Sequence, residues 1–365
     1  MEIQYTLTGS GVCIDRIADP DALVIVPEEI EGHPVTSLGA YVLSGTDVEE
    51  VRLPSRLVRI GAYGFYGCRK LARIYCHSRV LDLGAGLFAD AQRIELLDIT
   101  EYEGEKSCFK DLLSELRQTL RVRVHRVGRD GETREARLIF PEYYEEWVEN
   151  TPARITFAET HGCGHRYRYC FVNREFQYAG YDGLFAHVKV QEPEELVTEL
   201  AIGRLLYSNG LTEEHAKLYR AYVREHWETA GRLLIAADGW SRDGATNLEA
   251  GRLPWLVELL DEGVAAAEEA AEPDAGRDET ANKETIGSEL GQPACGGMSS
   301  GQMAALIAEA QRAGDTEMVS WLMDFRHRRF RGADSVTDFA GVRVSGREPE
   351  EKEPRRSLRK RRFEL

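Results

Sequence analysis

His161-Gly-Cys-Gly-His165, followed by Cys170, is the densest grouping of metal-ligand and nucleophile residue types in the chain. Imidazole nitrogen and thiolate sulfur are the ligands zinc prefers. The spacing, however, matches no common finger, ribbon or protease pattern. On a strand, His161, Cys163 and His165 would share one side, but ligation by all three would need a sharp bend, and a closed structural zinc site wants four ligands. As a Cys–His nucleophile, Cys163 would need a depressed pKa and a base oriented by a third group, which the sequence does not supply. The segment therefore reads as a Gly-rich hairpin or loop. Tyr167, Tyr169 and Phe171 would face a core, and Arg166 and Arg168 would face water. We expect no metal, no cofactor and no catalysis; His161, Cys163, His165 and Cys170 define the alternative of a metal-binding protein or Cys/His enzyme. The sequence holds no P-loop, no G-x-G-x-x-G after a strand, no G-x-S-x-G and no H-E-x-x-H.

A second chemistry is cationic. Arg355, Arg356, Arg359, Lys360, Arg361 and Arg362 form a dense positive block at the end of a chain whose net charge is −16. The overall charge argues against whole-chain binding to nucleic acid or anionic lipid. A nucleic-acid-associated factor using the basic tail is a further alternative, disfavoured against docking on an acidic surface of the chain itself or of a partner. Arg121, Arg123 and Arg126 read as solvated positions on a strand.

The elements that hold these residues follow from length and pattern. At 365 residues and 41.1 kDa, two or three folding units are expected. Hydrophobic residues at 42% and charged residues at 30% are a globular composition. No apolar run approaches the ~20 residues that span a bilayer, so no membrane is expected. The opening Met1-Glu-Ile-Gln-Tyr-Thr-Leu-Thr alternates and carries an acid, unlike a secretory signal. Seven widely spaced cysteines, an odd number, point away from a disulfide framework and toward a reducing, cytoplasmic location.

The first hundred residues repeat. Leu38-Gly39, Ile60-Gly61 and Leu83-Gly84 align, as do Leu43, Phe65 and Phe88, then Val48, Leu71 and Ile94, then Val51, Ile74 and Leu97. An offset of about 22–23 residues lies within the range of leucine-rich repeats. A coil of one short strand and one turn cannot bury its apolar side alone, so stacked coils must share a core. Glycine after the inward Leu or Ile lets the backbone turn without a Cβ clash. Phe65 and Phe88 fill their coils, and Cys68 reads as a small buried hydrophobe.

Val24-Ile-Val-Pro-Glu-Glu-Ile-Glu-Gly-His-Pro-Val-Thr-Ser-Leu-Gly39 and Phe65-Tyr-Gly-Cys-Arg-Lys-Leu-Ala-Arg-Ile74 resemble the BspA-like class of leucine-rich repeats, which reads I-x-I-P-x-x-I-x-G-x-x-V-T-x-I-G and A-F-x-x-C-x-x-L-x-x-I. Gly64 and Leu87 replace the family's Ala, Ser44-Gly-Thr-Asp47 is one residue short, and the third coil lacks the proline. The resemblance covers residues 1–100 and implies a recognition or packing module.

Beyond it, Phe109, Leu112, Leu113, Leu116 and Leu120 share a helical face behind Ser107. Arg121–Val127 and Ala136–Phe140 read as strands around Gly128-Arg-Asp-Gly131. From Glu192 the period is helical. Leu196, Val197, Leu200, Ala201 and Leu205 form one stripe; Gly210 and Thr212 mark a stop and restart; Tyr219 to Leu234 form the next helix, and Pro254 opens another. Met303–Arg312 and Glu317–Phe330, around Ala313-Gly-Asp-Thr316, weakly resemble an ankyrin-type helical repeat. The acidic stretch at about 262–300 is too poor in apolar residues to offset its chain entropy.

The expectation is an α+β multidomain chain: leucine-rich-repeat β-solenoid at 1–100, mixed helix/hairpin segment at 101–190, helical repeat or bundle at 191–332 with a disordered acidic insert at about 262–300, and a basic disordered tail at 333–365. The expected function is non-catalytic protein–protein recognition or scaffolding.

Overall fold

The computed structural model describes residues 1–150, 154–236, 253–260 and 298–330. All but the last residues of the insert expected at about 262–300, and the whole of the tail expected at 333–365, lie outside the described residues.

Two parallel ladders make the solenoid. One sheet has the order β1-β2-β5-β7-β9, built from β1 (Glu2–Thr8), β2 (Gly11–Ala18), β5 (His33–Leu38), β7 (Arg59–Ile60) and β9 (Asp82–Leu83), with β4 (Glu29–Ile30) paired to β5. The other has the order β12-β11-β10-β8-β6-β3, from β3 (Leu23–Ile25), β6 (Glu50–Arg52), β8 (Arg73–His77), β10 (Leu96–Tyr102), β11 (Leu120–Val127) and β12 (Thr133–Phe140). The registers reproduce the repeat. Leu38 pairs with Ile60 and Ile60 with Leu83. Val24, Val51, Ile74, Leu97 and Val122 are consecutive partners and all are buried. Between the ladders Phe65 stacks on Phe88 at 5.6 Å, and Cys68 is buried with its Sγ donating to the Leu43 carbonyl at 3.0 Å.

The coil glycines have a packing cause. A Cβ on Gly61 would lie 2.4 Å from the Ala40 nitrogen, and one on Gly84 2.1 Å from the Ala62 nitrogen. Successive coils approach backbone to backbone there, and only hydrogen fits between them.

The sheet does not stop at residue 100. β10 is followed by α1 (Phe109–Glu115) and then by β11, parallel to β10, so this coil is closed by a helix that buries Phe109, Leu112 and Leu113. The helix is shorter than its apolar face suggested. Leu116 is already extended and Leu120 begins β11, where the alternation Val122, Val124 takes over. Antiparallel β12 then ends the ladder.

Three further readings are corrected. Residues 164–168, expected as hairpin or loop, form α2 (Gly164–Arg168); this turn buries Tyr167 and leaves Tyr169 exposed. Arg168, expected in water, is buried and donates to the carbonyls of Leu116 (2.7 Å), Pro141 (2.6 Å), Gly164 (3.0 Å) and Gln118 (2.7 Å). The planar guanidinium, with its fork of donors, ties the end of the solenoid to the segment that follows. Arg121 and Arg123 are not solvated either. Arg121 makes a bidentate pair with Glu199, and Arg123 is buried 3.7 Å from Asp98; Arg126 is exposed.

The cause of the Arg121 pairing is helical packing. After α3 (Tyr178–Asp182) and α4 (Phe185–Gln191), α5 (Glu194–Leu206) packs on β12, burying Val197, Leu200 and Ala201. Then come α6 (Glu213–Glu225) and α7 (Trp227–Ile235), one helix by periodicity but broken at His226, whose ring stacks on Tyr222. Thr212 caps α6 by accepting from the His215 N–H. Residues 253–260 form α8. α9 (Ser300–Ala313) begins with a capping box at Ser299 and ends at Gly314, φ 75°, before α10 (Thr316–Phe330). Of the residues expected inward on this pair, Leu306, Ile307, Ala310 and Leu322 are buried, while Val319 and Phe325 are half-buried against them.

Candidate functional site

Strand parity decides which side chains the second sheet shows to the outside. Because Val24, Val51, Ile74 and Leu97 point inward, their neighbours Leu23, Ile25, Arg52, Arg73, Tyr75, Asp98 and Arg123 must point outward. At the β11–β12 end this outer face is covered by α5, through the Arg121–Glu199 pair and through the Arg137 guanidinium 3.7 Å above the Tyr207 ring. At the β3 end it is open: Leu23 is 45% and Ile25 56% exposed.

The open part is organised by charge. Glu50 accepts from Arg73 at 2.7 Å and from Arg52 at 2.9 Å. Burial pushes the Glu50 carboxyl up, but these two hydrogen bonds outweigh it and hold the group below its ordinary value. The Arg52 guanidinium lies 4.6 Å from the Tyr75 ring centre. One strand further on, Asp98 contacts His125 Nε2 at 3.1 Å. His77 Nδ1 is 2.9 Å from the Tyr102 hydroxyl, and the Arg79 guanidinium stacks 3.8 Å from the same ring. Such a surface, with aromatics and arginines fixed by neighbours across a rigid sheet, can bind a polypeptide by shape, stacking and charge. None of these residues was singled out from the sequence as a site. The usable signal was parity: once the inward register is known, the outward residues are the alternate ones.

The Asp98–His125 contact sets a pH dependence. The hydrogen bond to Asp98 raises the His125 pKa above its ordinary 6.5, against the opposing effect of burial. A raised folded pKa gives stability that is complete below the unfolded value and is lost as pH rises through the folded one. His77 is shifted the other way, downward, by burial. His125→Gln is therefore expected to remove a loss of stability on going from pH 6 to pH 8. The difference between denaturation curves of wild type and variant across that range is the check; a difference that grows in the opposite direction rejects the assignment.

The residues singled out from the sequence lie elsewhere and have separate partners. The His161 ring stacks on Tyr144 at 4.7 Å. The Cys163 Sγ donates to Glu192 at 3.2 Å. His165 packs against Tyr143 and Tyr169, and the Cys170 Sγ reaches the Arg166 carbonyl at 3.6 Å. Among the described residues no group of three or more His, Cys, Asp or Glu could hold a metal ion. Burial, assisted by Glu192, pushes the Cys163 thiol up to about 12, and burial takes Cys170 to about 11. Both thiols stay protonated at neutral pH, the opposite of an activated nucleophile. Protein purified without chelator is expected to carry no stoichiometric zinc, and Cys163→Ser to leave folding nearly unchanged. Metal analysis that finds zinc lost on that substitution overturns this.

Comparison with known proteins bears on the repeat segment. Residues 30–118 match the BspA type leucine-rich repeat region, in 6 copies. No curated protein matches the chain. Among solved structures, a leucine-rich repeat protein of T. pallidum is similar at 21% identity, covering 31% of this chain and 77% of that one, with a TM-score of 0.21. A leucine-rich cell surface protein of Faecalibacterium prausnitzii is 15% identical, covering 34% and 41%, TM-score 0.24. A leucine-rich repeat protein of Bacteroides ovatus is 14% identical, covering 32% and 51%, TM-score 0.16. The N-terminal segment is thus a run of BspA-type leucine-rich repeats, a kind of module commonly used for protein–protein interaction or at surfaces.

Proposed function

We propose that this chain is a non-catalytic protein-recognition scaffold that receives a protein partner on the open half of its outer sheet face. The observation that carries the reading is the contrast along one sheet. Over β11 and β12 Arg123 and Arg137 are buried and Arg121 is half-buried in its pair with Glu199 of α5. Toward β3 the same face is exposed at Leu23, Ile25 and Arg52, with Tyr75 half-buried in its stack under Arg52 and only the Glu50–Arg73 pair sunk between them. The helices then act as a cap on one end and supply a second surface. A cytoplasmic, reducing setting fits the free thiols of Cys13, Cys68, Cys76, Cys108, Cys163 and Cys170.

Affinity capture from source-cell extract, comparing wild type with an Ile25→Glu, Tyr75→Ala double variant, tests the reading. A specific protein retained by wild type and lost from the variant, at unchanged thermal midpoint, is the expected result. A partner retained equally by both rejects this face as its site.

A further inference from the structure

The ribbon of β13 (Tyr144–Asn150) and β14 (Ile155–His161) stands outside both solenoid sheets. Its two strands pair only with each other, in antiparallel register. Among the described residues neither outer edge has a strand beside it. A lone two-stranded ribbon is marginal in water, and a bare edge is a template for another strand.

The side chains state what kind of strand. On one side Trp147, 72% exposed, is flanked along its own strand by Glu149 and by Glu145, which is already paired with Arg117 at 3.2 Å. On the other, Glu146 and Glu159 are direct cross-strand partners. Like charges placed opposite each other destabilise a ribbon; His161, next along the same side, brings its Nε2 to 3.7 Å from Glu146 and 4.0 Å from Glu159. Exposed Phe157 is the register partner of Val148 on the same side. Each side therefore offers an aromatic ring among carboxylates, the surroundings that favour arginine or lysine through ion pairing and cation–π contact. Pairing β13 with the same strand of a second copy, centred on Trp147, would set Glu145 against Glu149, which disfavours it on charge.

We propose that the β13–β14 ribbon is a docking arm for an extended, basic segment of a partner protein, added as a third strand along the open edge of β13, the strand that carries most of the carboxylates. Main-chain hydrogen bonds would hold the segment, and its alternate basic side chains would reach Glu146 and Glu159 on one side or Trp147 and Glu149 on the other. This surface is separate from the outer sheet face, so the two proposals stand or fall independently.

The test uses the full chain and two synthetic octapeptides, one alternating arginine with threonine and one alternating glutamate with threonine. Backbone amide exchange of residues 144–150 and 155–161 is followed during titration. The arginine peptide is expected to slow exchange there and to bind about ten-fold more weakly to the isosteric Glu146→Gln, Glu159→Gln variant, as loss of two exposed charge pairs requires. The glutamate peptide should do neither. The thermal midpoint of the variant checks that its fold is retained. Equal binding to both chains, or protection that appears on β3 and β6 instead, overturns the proposal. So does a ribbon already protected in the chain alone and released when Arg359, Lys360, Arg361 and Arg362 are changed to Glu, since the occupant would then be the chain's own basic block.

Discussion

Arg204→Met is expected to destabilise the chain by about 3–5 kcal/mol, because it strands a buried carboxylate. Arg204 and Asp182 are both fully buried and joined bidentately, at 2.9 and 3.0 Å. The Tyr219 hydroxyl donates to the same carboxylate at 2.8 Å, and Arg204 also donates to the carbonyls of Tyr207 and Asn209. This one cluster ties α3, α5, α6 and the turn between α5 and α6 together. Burial acts to lower the Arg204 pKa, but its pairing with Asp182 outweighs that and raises it. The substitution keeps most of the side-chain volume and removes the charge, so Asp182 must find a proton or water. Adding Asp182→Asn to the variant should recover part of the loss, because the stranded charge is then gone. Urea denaturation of the full chain, with both single variants and the double, decides it. A loss below about 1 kcal/mol for Arg204→Met would mean that water reaches the site.

Phe65→Ala is the second large effect, also about 3–5 kcal/mol, from lost transfer free energy and the cavity left in a core that cannot collapse. Phe65 has no exposed surface, stacks on Phe88 and lies in a coil whose backbone is fixed on both sides, Leu43 donating to the Gly64 carbonyl and Phe65 to that of Leu87. Chemical denaturation of the full chain, followed by a probe in the solenoid, is the measurement. An unchanged unfolding midpoint would remove Phe65 from the shared core and undo the repeat register.

These two residues mark how far the sequence could be read. Phe65 was legible because stacked coils make the same demand at every turn: the alignment of Leu43, Phe65 and Phe88 is a chemical restatement of the ladder. Arg204 was not legible. Nothing local distinguishes it from a solvated arginine on a helix; its burial depends on Asp182, 22 residues away, arriving on another helix. Arg168 and Arg123 failed for the same reason, one held by carbonyls from two distant segments and the other beside Asp98 on the adjacent strand.

The candidate site shows the same division. Alternation alone determined that Arg52, Tyr75, Asp98 and Arg123 share one face of the sheet, because successive strand side chains point to opposite sides. Which half of that face is open was decided only by where α5 lies. The stripe Val197, Leu200, Ala201 announces an apolar helix face but carries no address. The repeat therefore determined the solenoid, its register and its core by itself, since each coil needs only its sequence neighbours. Burial of the charged residues and the covering of β11 and β12 were tertiary decisions, because they rest on contacts between segments far apart in the chain, which no local pattern encodes.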